Sequence, residues 1–288
     1  MRLIIVSGLS GSGKSVALHM LEDIDYYCVD NIPAALLKPL ISHTIRGNED
    51  VYPRTAVGLD ARNRIKEIET IPNLVAELRR SGIACDVLYL HASDEVLLKR
   101  YAETRRKHPL IGQGVSLREA IAAERELLEP IIAAADLVID TSNMSVHALR
   151  ELIRDRIDRR KEGRLALMFE SFGFKHGIPG DADFVFDVRS LPNPYWEHAL
   201  RELTGRDAPV EQYLAGHASV GLMVADLTEF LTKRIAEFAA ANRAYLTIAI
   251  GCTGGQHRSV YIAERLAAHF RGSYPQVLTR HDSLRGSA

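Results

Sequence analysis

Residues 8 to 15 read Gly-Leu-Ser-Gly-Ser-Gly-Lys-Ser, which is the G-x-x-x-x-G-K-S spacing of a Walker A phosphate-binding loop. Glycine tolerates positive φ and close backbone approach, so consecutive N–H groups can turn inward around phosphate oxygens. Lys14 would reach the β- and γ-phosphates, and the Ser15 hydroxyl would coordinate Mg²⁺. A glycine-rich turn is the plainer alternative, but an apolar run at residues 3–6 precedes the loop directly. The pattern therefore predicts a nucleotide site built from Gly8, Leu9, Ser10, Gly11, Ser12, Gly13, Lys14 and Ser15.

A magnesium-nucleotide site also needs an acidic side chain at the end of a neighbouring strand. Asp60 follows Thr-Ala-Val-Gly-Leu and is the first choice for the catalytic metal contact, with Asp30 second and Asp140 third. Each has a plainer interpretation as a strand-end aspartate that caps a helix. A second nucleotide contact is predicted for the segment made of Asp60, Ala61, Arg62 and Asn63.

Two charged stretches in the same half have a functional or a structural interpretation. A basic cluster at the end of an expected helix would form an arginine lid over the γ-phosphate, or would only complement the negative end of the helix dipole. This cluster consists of Arg100, Arg105, Arg106 and Lys107. The acidic stretch 119–129 is predicted to be a solvated helix face opposite Ile121, Leu128 and Ile132.

The C-terminal half contains a second candidate anion site, Gly-Cys-Thr-Gly-Gly-Gln-His-Arg-Ser at residues 251–259. This is the C-x₅-R-S pattern with which phosphatases wrap N–H groups around a phosphate. Arg258 would grip two oxygens as a fork, and the helix that follows would add its dipole. The pattern leaves three interpretations open: Cys252 is a nucleophile, the loop only binds a phosphorylated metabolite, or it is a glycine turn with a buried cysteine.

Polar groups near other predicted strand ends would complete a sugar-phosphate pocket. A general acid for phosphatase chemistry would come from Asp181, Asp183 or Asp187, and nothing singles one out. Ser171 is a further polar group at a strand end. The residues predicted to bind a metabolite are Lys175, His176, Arg189, Cys252, Thr253, Gly254, Gly255, His257, Arg258 and Ser259.

The elements that must position these residues alternate along the chain. Apolar runs typical of strands are expected at residues 2–7, 26–30, 55–60, 86–91, 136–141, 165–172, 183–188, 245–250 and 276–280. Helical periodicity is expected at residues 14–24, 71–80, 94–106, 116–134, 145–160, 220–240 and 258–270. Strands separated by helices imply parallel sheets. We therefore expect a kinase-like P-loop NTPase domain over residues 1–157, a charged linker at 158–164, and a smaller α/β domain over 163–288.

Composition excludes several classes of protein. The chain of 288 residues is 47% hydrophobic and 25% charged, with a net charge of −1, so no strong overall field attracts nucleic acid or membrane. Three cysteines without a C-x-x-C motif predict neither disulfide framework nor zinc site and fit a reducing cytoplasm. We expect no signal peptide and no membrane-spanning stretch.

Eight segments carry distinctive motifs, at residues 8–15, 28–31, 60–63, 140–142, 170–177, 186–189, 191–194 and 251–260. Together they closely resemble the RapZ/YvcJ family of bacterial P-loop nucleotide-binding proteins, over nearly the whole chain. The last three are far more specific than the phosphate loop alone. The resemblance implies that the protein binds ATP through residues 8–15 and GTP through residues 60–63, with Mg²⁺, and hydrolyses them slowly.

In enteric bacteria the resemblance further implies an RNase adapter. Such a protein binds a small RNA and presents it to the endoribonuclease RNase E, and it senses glucosamine-6-phosphate in its C-terminal domain. The Cys252–Arg258 loop is a natural place for that phosphate, so the resemblance favours binding over phosphatase chemistry. It also implies a homo-oligomer.

The C-terminal tail departs from the enteric pattern, in which a strongly basic tail binds RNA. Residues 271–288 hold Arg271, Arg280 and Arg285 against Asp282, a formal charge of +2. Because each neutralised phosphate adds to affinity, a weakly basic tail predicts weak RNA binding. The sequence thus predicts a nucleotide-binding regulator with low turnover; a small-molecule kinase and a phosphatase are the alternatives.

Overall fold

The computed structural model describes residues 1–46, 49–50, 52–63, 65–104, 107–112, 114–158, 165–241 and 243–284. The chain divides into two compact units, Met1–Arg159 and Arg160–Ala288, which are considered separately below. Residues 159–164 of the predicted linker lie outside the described residues, as do Arg105, Arg106 and Arg285.

The N-terminal unit is built on a parallel sheet of five strands in the order β2-β5-β1-β6-β7. These strands are β1 (Arg2–Gly8), β2 (Tyr27–Val29), β5 (Arg54–Gly58), β6 (Ala84–His91) and β7 (Leu137–Asp140), and a short antiparallel hairpin adds β3 (Ile45–Arg46) and β4 (Glu49–Asp50). The helices are α1 (Lys14–Glu22), α2 (Leu37–Thr44), α3 (Ile65–Ile68), α4 (Ile71–Arg80), α5 (Asp94–Thr104), α6 (Leu117–Leu127), α7 (Glu129–Ala133) and α8 (Val146–Ile153).

The central strand β1 explains why the phosphate loop lies where it does. All of its residues are buried, and it pairs in parallel with β5 on one side and with β6 on the other. Leu3 and Ile5 pack against Val57, Val87 and the apolar face of α4. The carboxyl ends of parallel strands meet at one edge of a sheet, so the loop after β1 lies beside the segments that follow β2, β5 and β6.

Two long helices predicted from the sequence are interrupted. The expected helix 116–134 divides at Leu128 into α6 and α7, because Pro130 in the first turn of α7 has no N–H to donate. The expected helix 145–160 is α-helical only in α8, and Arg154–Asp158 continues as a π-helix. The other strand and helix predictions are confirmed to within a few residues, although the predicted helix 94–106 is described only to Thr104.

The C-terminal unit is a second parallel sheet of four strands in the order β11-β8-β10-β9. The strands are β8 (Ala166–Gly173), β9 (Phe184–Asp187), β10 (Tyr245–Cys252) and β11 (Val277–His281), and the helices are α9 (Ala208–Ala215), α10 (Ala218–Ala240) and α11 (Arg258–Phe270). Leu167 and Phe169 on β8 and Leu246 and Ile248 on β10 form one core with α10 and α11. The predicted parallel α/β fold of both halves is confirmed.

The close packing of Gly8, at the end of β1, against β6 can be tested by substitution. Its φ is +142°, and a Cβ atom there would lie 2.0 Å from the carbonyl oxygen of Leu90. We expect Gly8→Ala to lower the free energy of unfolding by about 2 kcal/mol or more. Gly112→Ala is the control, because a Cβ atom there has no atom within 4 Å. Equal midpoints for the two variants in thermal denaturation would contradict this account of β1.

Candidate functional site

The phosphate loop joins β1 directly to α1 and is held by its own backbone and by β6. Gly8, Gly11 and Gly13 all have positive φ, which only glycine adopts at little cost. The N–H of Leu9 donates to Leu90 O at 3.1 Å, and the N–H of Ser12 donates to Leu9 O at 3.0 Å. Because α1 begins at Lys14, the unpaired N–H groups of its first turn face the loop and favour an anion there.

Lys14 lies across this loop. Its Nζ donates to Gly8 O at 2.6 Å. Burial lowers the pKa of Lys14, and the charges of Glu124, Asp60 and Asp30 oppose that shift. A phosphate group in the loop would add a further negative charge and favour the ammonium form.

A cleft of about 640 Å³ opens beside the loop. Of the predicted nucleotide contacts, Ser10, Gly11, Ser12, Gly13, Lys14, Ser15, Asp60 and Arg62 line it. Leu9 does not, because it packs in a core cluster with Ala92, Leu97 and Ile121. Gly8, Ala61 and Asn63 are also not among the described lining residues. The Ser15 hydroxyl and the Asp60 carboxylate share this cleft, and such oxygen donors are the ligands that Mg²⁺ prefers.

Asp60 belongs to a hydrogen-bonded cluster that includes Asn31. Asp60 Oδ1 accepts the N–H of Arg62 at 2.9 Å. With its amide oriented to satisfy both ends, Asn31 donates to Asp60 Oδ1 at 2.9 Å and accepts from Arg62 Nη1 at 3.1 Å. Asn31 has a φ of +52°, a left-handed conformation that asparagine tolerates better than most residues. Asn31 also lines the cleft, a role that the sequence analysis did not predict.

Asp30 and Asn63 have different surroundings. A Cβ atom on Gly58 would lie 2.5 Å from Asp30 Oδ1, so the carboxylate passes directly over the glycine and reaches the cleft. Asn63 instead holds the neighbouring segment: its Oδ1 accepts the N–H of Ala34 at 2.6 Å, and its Nδ2 donates to Asp60 O at 3.1 Å. Within residues 60–63, therefore, Asp60 and Arg62 face the cleft while Asn63 is engaged with backbone.

Arg100 holds the loop from the outside. Its Nη1 donates to Gly11 O at 3.0 Å and to Thr141 Oγ1 at 2.9 Å, and its Nη2 donates to Thr141 O at 2.6 Å. Thr141 Oγ1 in turn donates to Ser12 O at 2.9 Å. Burial lowers the pKa of Arg100. Arg100 thus bonds to the loop backbone and also lines the cleft, and Lys107 is the other described residue of the predicted arginine lid that lines it.

Asp140 is not a helix cap, because the N-cap of α8 is Ser145, and the carboxylate of Asp140 bonds within the turn before that helix. Its Oδ1 accepts hydrogen bonds from the N–H and the hydroxyl of Ser142, at 2.9 and 2.5 Å. It is absent from the described lining of the cleft.

The prediction that the stretch 119–129 is a solvated face is wrong at Glu124. This side chain is 0% exposed. Its carboxylate accepts the Ser10 N–H at 2.8 Å and the Ser10 hydroxyl at 2.7 Å, and it lies 3.0 Å from His108 Nε2. The missed signal was spacing, because Glu124 follows Ala120 and Ile121 by four and three residues and so shares their buried helix face.

In the C-terminal unit, residues 253–257 form a loop that joins the end of β10 at Cys252 to the start of α11 at Arg258. The sulfur of Cys252 is buried, accepts the N–H of Gly255 at 3.2 Å, and lies 3.1 Å from the hydroxyl of Ser259. A Cβ atom on Gly173 would lie 2.7 Å from the carbonyl carbon of Gly254, so the loop packs tightly on the end of β8.

Arg258 and His257 both bond to backbone outside the loop, which the sequence analysis did not predict. Nη1 of Arg258 donates to the carbonyl oxygens of Arg189 and Leu191, at 2.7 and 3.0 Å, and Nη2 lies 3.4 Å from Thr253 Oγ1. His257 Nε2 lies 3.0 Å from the carbonyl oxygen of Leu200, and burial lowers the pKa of His257. These bonds tie the loop to the segments around Leu191 and Leu200, so both side chains shape it.

Two predicted segments, those around Lys175 and Arg189, contact this loop. The N–H of Lys175 donates to Thr253 O at 3.3 Å. The guanidinium of Arg189 is paired with Asp187 at 2.7 Å and stacks 4.1 Å from the ring centre of Phe174. The side chains of Lys175, His176, Arg189 and Thr253 are exposed on the same loop cluster. Ser171 is instead buried and bonded to His281 Nδ1 at 2.8 Å.

The predicted basic tail has less available charge than its sequence indicates. Arg280 is buried and pairs with Asp282 at 2.8 Å and with Glu170 at 3.7 Å. Burial raises the pKa of Glu170 well above its usual range, against the opposing charge of Arg280. Arg271, which is exposed, lies 4.0 Å from Glu264. Arg280 is therefore a structural cation and does not contribute to a free basic tail.

A P-loop on a parallel α/β unit, followed by a second parallel α/β unit, defines the class of P-loop nucleotide-binding proteins. A family model described as "RapZ-like N-terminal domain" matches residues 1–161, and a second, described as "RapZ C-terminal domain", matches residues 165–285. The chain belongs to the RapZ family, which confirms the resemblance.

No helix in the described ranges is long and apolar enough to cross a membrane. Nor do the described residues contain a cluster of three or more His, Cys, Asp or Glu side chains that could hold a metal.

Similar proteins span the full length of the chain. A protein of Thioalkalivibrio sulfidiphilus is 52% identical over 285 residues, covering 99% of this chain and 100% of its own. One of Pseudomonas putida is 53% identical over 284 residues, with the same coverage. Both are named nucleotide-binding proteins. Shikimate kinase from Acinetobacter baumannii aligns at 17% identity and a TM-score of 0.37, over 55% of this chain and 95% of its own, too low for any further conclusion.

The surroundings of Glu124 predict how stability depends on pH. Burial alone would raise the pKa of Glu124, but the hydrogen bonds from His108 and Ser10 and the charge of Lys14 together lower it. The stability that the carboxylate contributes is therefore present above the unfolded pKa of about 4.3 and is lost as pH falls through the lower folded value. We expect the stability difference between wild type and Glu124→Gln to be largest near pH 7 and to shrink on acidification.

Urea unfolding at pH 7, 5 and 4 measures this difference. Glu126→Gln is the matched control, because Glu126 lies on the exposed face of the same helix, and its difference from wild type should stay small throughout. A pH-independent loss in Glu124→Gln would show that folding does not lower the pKa of this carboxylate.

Proposed function

We propose that this protein binds a nucleoside triphosphate with Mg²⁺ in the N-terminal cleft and hydrolyses it slowly, in a regulatory role. The observation that carries this proposal is the shared cleft, in which the phosphate loop, Lys14, Ser15 and Asp60 all line one volume. The names of the full-length relatives support nucleotide binding. Slow hydrolysis rests on the family resemblance.

Each residue has a role that follows from its position. The loop amides and the first turn of α1 would bind the β- and γ-phosphate oxygens, and Lys14 would exchange its bond to Gly8 O for one to phosphate. Ser15 and Asp60 would hold Mg²⁺, which when bound withdraws charge from the phosphate oxygens. Water would attack the γ-phosphorus as the bond to the bridging oxygen breaks, releasing inorganic phosphate and the diphosphate.

We further propose ATP and GTP as the nucleotides, with Asp60 and Arg62 as the contacts contributed by residues 60–63. Both side chains line the cleft, whereas the amide of Asn63 is bonded to Ala34 and Asp60. A small-molecule kinase is the second candidate, because Asp30, Asn31 and Lys107 also line the cleft and offer polar contacts to an acceptor. Transfer of labelled phosphate from ATP to a small hydroxyl compound would favour the kinase.

Lys14→Ala tests the proposed site. We expect it to bring triphosphate affinity below detection in calorimetry, because it removes the ammonium group that the loop holds at Gly8 O. The fold should be retained, as judged by circular dichroism. Lys99→Ala, on the exposed surface of α5, is the control and should bind like wild type. Unchanged affinity in Lys14→Ala would remove the proposed role of this residue.

For the C-terminal unit, we propose a binding site for a phosphorylated amino sugar such as glucosamine-6-phosphate. The exposed side chains of Lys175, His176, Arg189 and Thr253 are the contacts, and the buried Cys252, Gly255, His257, Arg258 and Ser259 shape the loop. The convergence of the segments around Lys175, Arg189 and Thr253 supports this assignment. A phosphatase is the alternative, since the sulfur of Cys252 accepts the Gly255 N–H at the base of the loop.

Glucosamine-6-phosphate should raise the melting temperature of wild type, because a ligand that binds the native state stabilises it. Glucosamine should not, and Lys175→Ala should lose the effect of the phosphorylated sugar. Lys233→Ala on α10 is the control, because Lys233 is also an exposed lysine and is far from Lys175 in the sequence. If wild type hydrolyses an aryl phosphate and Cys252→Ser does not, the loop is a phosphatase site instead.

Binding of small RNA, contact with an endoribonuclease, self-association and a cytoplasmic location stay predictions from the sequence. The burial of Arg280 weakens the case for RNA binding through the tail. Any RNA complex that forms there should be weak and sensitive to salt.

A further inference from the structure

The carboxylate of Glu124 is fully enclosed, yet it lies beside the anion-binding loop. An ionised carboxylate away from water is costly unless donors surround it. Here the N–H and the hydroxyl of Ser10 donate to its two oxygens, at 2.8 and 2.7 Å, and His108 Nε2 lies 3.0 Å away. A negative charge next to a triphosphate site is unfavourable for binding by itself, so its presence calls for a compensating role.

That role follows from which N–H groups of the loop already donate to acceptors within the protein. The N–H groups of Leu9, Ser10 and Ser12 donate to Leu90 O, to Glu124 and to Leu9 O. Protein acceptors therefore hold three N–H groups between Leu9 and Ser12, whereas the N–H groups from Gly13 into the first turn of α1 are left for a ligand in the cleft. Donors that are fixed before the ligand arrives lose less entropy when it binds.

His108 extends the contact beyond the loop. Its Nδ1 accepts the N–H of Leu110 at 3.1 Å, so the ring proton lies on Nε2 and is donated to Glu124. The neighbouring residues Lys107 and Pro109 line the nucleotide cleft. Glu124 thus connects the phosphate loop to a second part of the cleft wall through one buried carboxylate.

We propose that Glu124 is a positioning residue of the nucleotide site, which fixes Ser10 and so sets the geometry with which the phosphate loop receives a triphosphate. The proposal rests on the proposed function of the cleft. Glu124 is not a catalytic residue, since its oxygens are occupied by Ser10 and His108 and do not line the cleft. Its effect reaches the ligand only through the loop backbone.

The experiment compares Glu124→Gln, Ser10→Ala and the control Glu126→Gln with wild type. Calorimetry with Mg²⁺ measures the affinity for the imidotriphosphates of adenosine and guanosine and for the corresponding monophosphates. A misplaced loop harms the β- and γ-phosphate contacts most, so we expect Glu124→Gln to weaken triphosphate affinity about tenfold or more and monophosphate affinity little. Ser10→Ala keeps the N–H bond to Glu124 and should lose less, about threefold.

Glu124→Asp keeps the charge on a side chain one methylene shorter, and it should restore part of the affinity that Glu124→Gln loses. Unchanged triphosphate affinity in folded Glu124→Gln would overturn the proposal. An equal loss for monophosphate and triphosphate would also overturn it, because that pattern indicates a general loosening of the unit. If Glu124→Gln does not fold, Ser10→Ala tests the proposal in its place, by the same comparison of the loss of triphosphate affinity with the loss of monophosphate affinity.

Failure of the proposal can be told apart from failure of the proposed function. If wild type binds neither triphosphate, the cleft is not a nucleotide site and Lys14→Ala will have no effect either. If wild type binds and Lys14→Ala does not, while Glu124→Gln and Ser10→Ala bind like wild type, nucleotide binding stands and only the positioning role is lost.

Discussion

Backbone N–H groups that point into a cleft cannot satisfy one another, so the turn between β1 and α1 has to be held from outside. Among the described residues of the N-terminal unit, four groups do this. Leu90 O accepts the Leu9 N–H, Glu124 accepts the Ser10 N–H, Arg100 donates to Gly11 O, and Thr141 Oγ1 donates to Ser12 O. The close approach of Gly8 to β6 brings the first of these within reach. The rest of the unit can be understood as a support for this turn, because each holding group lies on or beside a different element.

Buried charge is used in both units, with different results. In the N-terminal unit, Glu124 has donors at both oxygens, and its pKa is lowered although burial opposes this. In the C-terminal unit, burial raises the pKa of Glu170, whose nearest cation Arg280 lies 3.7 Å away and is shared with Asp282. The first carboxylate orders a loop that faces a cleft. The second links β8 to β11 and removes Arg280 from the surface.

Features set by residues close together in the sequence were predictable, whereas contacts between residues far apart in the chain were not. The phosphate loop, the strands of the two parallel sheets and most helices were predictable, because glycine spacing, apolar runs and helical periodicity are local. The short hairpin of β3 and β4 was not predicted. The division of the helix at Leu128 was readable from Pro130. The backbone partners of Arg258 were not predictable, because the carbonyls of Arg189 and Leu191 lie nearly seventy residues away in the chain. No local pattern distinguishes an arginine that will bind an anion from one that will bind distant backbone.

The sequence by itself determined that a strand, a glycine-rich turn and a helix follow one another at residues 2–22, and that two α/β units carry the family motifs. These features depend on backbone preferences and on burial patterns of neighbouring residues. Only the tertiary structure decided which carboxylate supports the loop, that Asn31 joins Asp60 and Arg62, and that Asn63 turns away from the cleft. Those choices depend on hydrogen-bond geometry between segments that folding brings together, and a polar side chain takes whichever unsatisfied partner lies within about 3 Å.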